Sequence, residues 1–106
     1  MDIREYRYYY IKIDKKELES SIISHMRTVV DKDEDNEETA IFGDLLYAIG
    51  DSLTGESGDS YYNPDFQEKV KYLSKLYPDV TFTAGWINND NNKDKEEFVV
   101  KNGNLL

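Results

Sequence analysis

Residues 50–60 read GDSLTGESGDS and hold the residue types that a catalytic serine or a phosphate-binding loop would use. Ser52, within Gly50-Asp51-Ser52-Leu53, is placed like the nucleophile of a serine esterase. Such a serine needs a general base, which is normally a histidine. The only histidine of the chain, His25, lies upstream, and none follows Ser52. The sequence therefore predicts turn structure here rather than a catalytic serine.

The same stretch has glycines at the spacing of a P-loop, Gly50 and Gly55. A P-loop needs a lysine after its second glycine to meet the phosphates. This chain has Glu56 at that position, and Asp51 and Asp59 add negative charge on either side. Because these carboxylates would repel a phosphate, we predict no phosphate site in this loop.

Acidic residues also occur at metal-ligand spacing. Asp31, Asp33 and Asp35 match the first ligands of a calcium EF-hand, but the sixth position is Asn36 rather than glycine and the twelfth is Phe42 rather than glutamate. With no cysteine and one histidine, zinc is excluded more strongly. We predict no metal, no cofactor and no enzymatic activity. A small enzyme that uses a carboxylate pair is an alternative hypothesis.

Charge is the most informative feature of the composition. The net charge is −9, and residues 33–68 contain eleven acidic residues and no lysine or arginine, whereas the rest has thirteen bases against eleven acids. Such a segment repels nucleic acid, whose binding depends on lysine and arginine. We therefore predict a basic protein partner. The predicted partner-binding residues are Asp33, Glu34, Asp35, Glu37, Glu38, Asp44, Asp51, Glu56, Asp59, Tyr61, Tyr62 and Asp65.

Hydrophobic spacing predicts the elements that position these residues. Residues 4–13 alternate as a strand, with Tyr9, Ile11 and Ile13 on one face. A helix over about 15–30 follows, with a capping box from Asp14 to Glu17. Its predicted apolar stripe consists of Leu18, Ile22, Met26 and Val29.

The middle of the chain is less clear. Residues 31–38, DKDEDNEE, predict an acidic loop. In residues 39–53, Ile41, Leu45 and Ile49 fit both a helix and the inner face of a strand. Gly43 and Gly50 weaken both interpretations, and we favour a strand.

The last part of the chain predicts a helix and a hairpin. Asn63 and Pro64 begin the helix, which ends before Pro78. Strands at 80–87 and 97–101 form the hairpin. The chain is then one α+β domain, 1–106, with a ferredoxin-like split βαββαβ order and an extra C-terminal strand. Its antiparallel sheet would have two helices on one face.

The residues NPDFQEKVKYLSKLYPDVTFTAGW, with VVKNG after the hairpin, resemble small YubB-like proteins of plasmids and phages. The shared features are a proline-started helix, the Leu73-Ser74-x-x-Tyr77-Pro78 transition and a terminal Asn-Gly. This resemblance covers about 40 residues and implies a ferredoxin-like fold and a mobile-element origin. It carries over no catalytic residue.

Small acidic proteins of such elements resemble inhibitors of host defence nucleases. We therefore expect an anti-CRISPR or anti-restriction inhibitor in the bacterial cytoplasm, an acidic DNA mimic that occupies a basic nucleic-acid channel. The alternative is a protein–protein interaction module, or a regulator that dimerises through its sheet, whose acidic segment only confers solubility. With no long apolar run, we predict no membrane association.

Overall fold

The computed structural model describes residues 7–32, 34–54, 65–88 and 95–106. Its strands are β1 (Arg7–Ile13), β2 (Phe82–Asn88), β3 (Lys95–Lys101) and β4 (Asn104–Leu105). Its helices are α1 (Glu19–Asp31), α2 (Glu37–Thr54) and α3 (Phe66–Leu76), and a 3-10 turn, Lys16–Leu18, precedes α1.

The four strands form an antiparallel sheet in the order β1-β2-β3-β4. This confirms the α+β class and the predicted hairpin. Three helices follow one another between β1 and β2, and the described residues contain no strand among them. The ferredoxin-like order is therefore not confirmed and stays a prediction.

One face of the sheet is buried under the helices. Tyr9, Ile11 and Ile13 alternate along β1 and are all buried, as predicted. Phe82 and Ala84 of β2 continue the same face, because they pair with Ile13 and Ile11. A buried aliphatic or aromatic side chain stabilises the fold by roughly 1.5–3 kcal/mol. The three buried side chains of β1 thus help to hold the sheet against the helices.

The opposite face of the sheet, which we call the open face, is covered by no described helix. Its side chains alternate with the buried ones and include Tyr8, Tyr10 and Lys12 of β1, which are half-buried or exposed. Antiparallel sheets commonly leave one face to solvent. The helices and the open face therefore present two different surfaces.

Helix α1 has the predicted apolar stripe, since Ile22 and Met26 are fully buried and Leu18 and Val29 pack against the core. The predicted capping box is wrong. Asp14 Oδ1 instead accepts a hydrogen bond from the Thr81 amide at 2.9 Å, and the Asp14 amide donates to the Thr81 carbonyl at 3.2 Å. Asp14 thus extends the pairing of β1 with the residue before β2.

The strand preferred for residues 39–53 is also wrong, because α2 is helical from Glu37 to Thr54. Phe42, Leu45 and Ile49 are completely buried. Their spacing of three and four residues suits only a helix. This packing outweighs the helix-weakening effect of Gly43.

The acidic loop is shorter than predicted. Asp31 ends α1, and Glu37 and Glu38 belong to the first turn of α2. Asn36 begins that helix, since its Oδ1 accepts a hydrogen bond from the Thr39 amide at 2.8 Å. Acidic residues in a first turn are favourable because they face the positive end of the helix dipole.

Helix α3 begins later than predicted, at Phe66, after Asp65 with φ 59°. Asn63 and Pro64 lie outside the described residues. The helix ends at Leu76, ahead of Pro78 as predicted. Its buried residues are Phe66, Val70, Leu73 and Ser74. Ser74 Oγ accepts from the Gly103 amide and donates to the Lys71 carbonyl, both at 2.8 Å, so the β3–β4 turn is fixed to α3.

Candidate interaction surfaces

The segment between α1 and α2 carries three of the predicted partner-binding acids that are exposed. Glu34, Asp35 and Glu37 are exposed, and so is Asp31 at the end of α1. Among the described residues, none of these four carboxylates is in an ion pair; Glu34 accepts only a 3.3 Å hydrogen bond from Asn36. We call these four residues the acidic connection.

Two other predicted acids contact side chains of the protein itself. Asp44 lies 2.6 Å from Nζ of Lys69, which joins α2 to α3. Glu38 accepts a hydrogen bond of 2.5 Å from the Tyr72 hydroxyl. This bond raises the pKa of Tyr72, and burial and the charges of Glu38 and Glu37 raise it further.

A shallow groove between α2 and α3 has mixed charge. Glu37, Asp44 and Glu68 line it together with the α3 residues Lys69 and Lys71. Lys71 is 3.4 Å from Glu68, on the same helix. The base-free stretch of sequence therefore does not fold into one uniformly acidic surface, because α3 follows it directly and supplies lysines.

The remaining predicted partner-binding residues are described fully, in part or not at all. Asp65 is exposed at the start of α3. Asp51 belongs to the last part of α2, but its side chain lies outside the described structure. The other predicted contacts lie outside the described residues: Asp33, Glu56, Asp59, Tyr61 and Tyr62.

The open face contains an ordered aromatic contact that the sequence did not indicate. Tyr10, Gly85 and Glu97 are aligned across β1, β2 and β3. The Tyr10 hydroxyl donates a 2.6 Å hydrogen bond to Glu97 Oε2, and Lys12 Nζ lies 5.4 Å from the centre of the Tyr10 ring. Burial, followed by this hydrogen bond and the charge of Glu97, raises the pKa of Tyr10 to about 12.

Gly85 is the residue that allows this contact. A side chain at Gly85 would begin 2.8 Å from the Tyr10 hydroxyl oxygen and 2.1 Å from the Glu96 carbonyl oxygen. Since Gly85 has none, Tyr10 can cross β2 to reach Glu97. A glycine inside a strand can mark a close approach of this kind, which is the signal available in the sequence.

His25 contacts two aromatic residues rather than a catalytic group. Its Nδ1 lies 2.7 Å from the Tyr77 hydroxyl, and its ring meets Phe42 edge to face. Burial raises the pKa of Tyr77. Within the described part of the chain, no three histidine, aspartate or glutamate side chains are grouped closely enough to hold a metal ion.

Comparison of the chain with known protein families, characterised proteins and solved structures finds no match. The YubB-like resemblance therefore stays a prediction. None of the described helices is long and apolar enough to cross a membrane.

Proposed function

We propose that this protein is a non-enzymatic binding protein that presents its acidic connection to a basic partner. The partner would be a nucleic-acid-binding effector or nuclease of a bacterial host, and the protein would inhibit it as a DNA mimic. The observation that carries this proposal is the exposure of Asp31, Glu34, Asp35 and Glu37 without an ion pair among the described residues.

The physical basis is electrostatic. A cleft lined by lysine and arginine attracts anions over several ångströms, and complementary charge accelerates encounter. Carboxylates that already pair within the protein contribute less to such attraction. The proposal therefore rests on the acidic connection rather than on the whole segment 33–68, and Asp44 and Glu38 have structural roles.

A charge-matched pair of variants tests the proposal. The first changes Glu34→Gln, Asp35→Asn and Glu37→Gln. The second, the control, changes Glu17→Gln, Asp79→Asn and Glu96→Gln, which are three exposed acids elsewhere on the surface. Both variants gain the same net charge, so only the position of the charge differs.

The tagged protein and both variants would capture partners from a bacterial lysate at low and at high salt, with identification by mass. We expect wild type and control to retain a nucleic-acid-binding protein at low salt. Duplex DNA should release that protein, and the first variant should not capture it. Equal capture by both variants, or a partner that DNA does not displace, would contradict the proposal.

A specific observation favours the alternative, an interaction module whose acids serve solubility and structure. Asp44 and Glu38 both bridge α2 to α3, which is a stabilising use of acidic residues. In that case both charge variants would bind a partner equally, and substitutions of exposed tyrosines such as Tyr47, which is 62% exposed, would weaken binding instead.

A further inference from the structure

The open face differs in charge from the rest of the protein. Among the described strand residues, the alternation places the charged side chains of Lys12, Lys95, Lys101 and Glu97 on this face. The chain as a whole has a net charge of −9. The acidic connection belongs to the helical layer on the other side of the sheet, and exposed charges farther apart than about 8 Å are largely screened at physiological salt.

Tyr10 forms the centre of this face. Its hydroxyl is held by Glu97 on β3, so the ring must extend along the sheet across Gly85 rather than stand upright from β1. Adjacent strands are about 4.8 Å apart, so this contact spans two strand spacings. The ring is half-buried and thus offers a fixed, partly accessible aromatic surface.

A groove of about 920 Å³ runs along this surface. Tyr8 and Ile87 line the groove beside Tyr10, and its charged residues are Lys12, Lys16 and Lys95 together with Glu19, Glu96 and Glu97. Ligand pockets usually have about 300–1,000 Å³, apolar walls and a few charged groups. The groove therefore combines a pre-positioned ring with ammonium groups and an equal number of carboxylates.

We propose that the open face binds a nucleotide unit, with the base stacked on Tyr10 and the phosphate contacted by Lys12 and Lys95. Aromatic rings accept bases of any sequence in this way, and lysines beside them follow the backbone. The Glu97 carboxylate, at the end of the Tyr10 side chain, can accept a hydrogen bond from an exocyclic amino group. The unit can come from a single strand or from a free nucleotide.

Amide NMR of the whole protein tests this proposal with four probes: a short single-stranded deoxyadenylate, adenosine monophosphate, a duplex and inorganic phosphate. We expect the single strand to shift the amides of Tyr10, Gly85 and Glu97. If it binds more tightly than the mononucleotide, the source is a strand; if the two bind equally, it is a free nucleotide. Failure of both to shift these amides, or equal shifts with inorganic phosphate alone, would overturn the proposal.

Two pairs of variants locate the contact. Tyr10→Leu should weaken binding of the single strand about tenfold because stacking is lost. Tyr10→Phe should keep most of the affinity, and Tyr47→Leu, on α2, should keep all of it. If Tyr10→Leu binds like wild type, the stacking role is wrong.

The second pair tests the phosphate contacts. Lys12→Gln with Lys95→Gln should reduce the salt dependence of binding. The control, Arg27→Gln in α1 with Lys32→Gln just after it, removes the same charge and should leave the salt dependence unchanged. With two lysines at the phosphates of the single strand, affinity should fall roughly 7-fold between about 50 and 200 mM salt. An unchanged salt dependence in the first variant contradicts the proposal even if Tyr10→Leu does not fold.

Discussion

Lys69 of α3 holds its Nζ 2.6 Å from Oδ2 of Asp44 on α2. This ion pair connects the base-free stretch of the sequence to the first lysine that follows it. The Lys69 side chain is 16% exposed and that of Asp44 44%, so the pair is partly shielded from solvent. A carboxylate that was predicted to contact a partner therefore helps to hold two helices together.

We expect this pair to contribute about 1 kcal/mol to stability, near the upper end for partly exposed ion pairs. A double-mutant cycle with Asp44→Asn and Lys69→Gln, followed by urea unfolding, isolates the coupling between the two side chains. The coupling should decrease at high salt. A coupling of zero would mean that the pair with Lys69 does not stabilise the fold, and Asp44 would again be a candidate for contact with a partner.

Burial of the Tyr10 hydroxyl, together with its hydrogen bond to Glu97, should make stability depend on pH in the alkaline range. The folded state raises the pKa of Tyr10 to about 12, from about 10 in the unfolded chain. The contribution of this hydroxyl is therefore complete below pH 10 and is lost as the pH rises to about 12. Tyr10→Phe should be less stable than wild type below pH 10, and the difference should vanish by about pH 12. Urea unfolding over this range measures it, and a constant difference contradicts the assignment.

Two glycines should respond oppositely to alanine. Gly85→Ala places a methyl group 2.1 Å from the Glu96 carbonyl oxygen and displaces Tyr10, so we expect a loss of about 3 kcal/mol. Gly43→Ala in α2 meets no atom within 4 Å and should gain about 1 kcal/mol from helix propensity. Thermal unfolding of both variants compares them. Equal effects would contradict the close approach of Glu96 and Tyr10 to Gly85.

Ser74→Ala should loosen the β3–β4 turn. Ser74 is fully buried, and its hydroxyl is the acceptor for the Gly103 amide. An amide left without a partner costs about 1–3 kcal/mol. We expect a loss in that range, together with faster hydrogen exchange at Gly103. Ser24→Ala, at an exposed position on α1, is the control and should change neither quantity.

The elements with a single strong periodicity were predictable from sequence. Alternation at Tyr9, Ile11 and Ile13 identified β1, and the stripe that includes Ile22 and Met26 identified α1. The nature of α2 was missed because Ile41, Leu45 and Ile49 satisfy both periods. Phe42 is completely buried as well, and only a helix places it on the same face as Leu45 and Ile49.

The surfaces were less predictable because they depend on pairing between distant segments. Nothing near Asp44 in the chain indicates Lys69, and nothing near Tyr10 indicates Glu97. Asp14 was assigned to a cap from local spacing alone, yet its carboxylate bonds the Thr81 amide. The sequence locates the acidic residues, whereas the packing of the helices determines which carboxylates can contact a partner.

The pairing of β1 with β2 has a consequence for how the chain acquires its fold. The three described helices lie between these two strands in the chain. Strand β1 can therefore pair with β2 only when the last third of the chain is available. Contacts between such distant segments slow folding, because a long loop must close first. During synthesis, β1 would remain unpaired with β2 until the ribosome has released β2, and the helices would be the first parts to gain order.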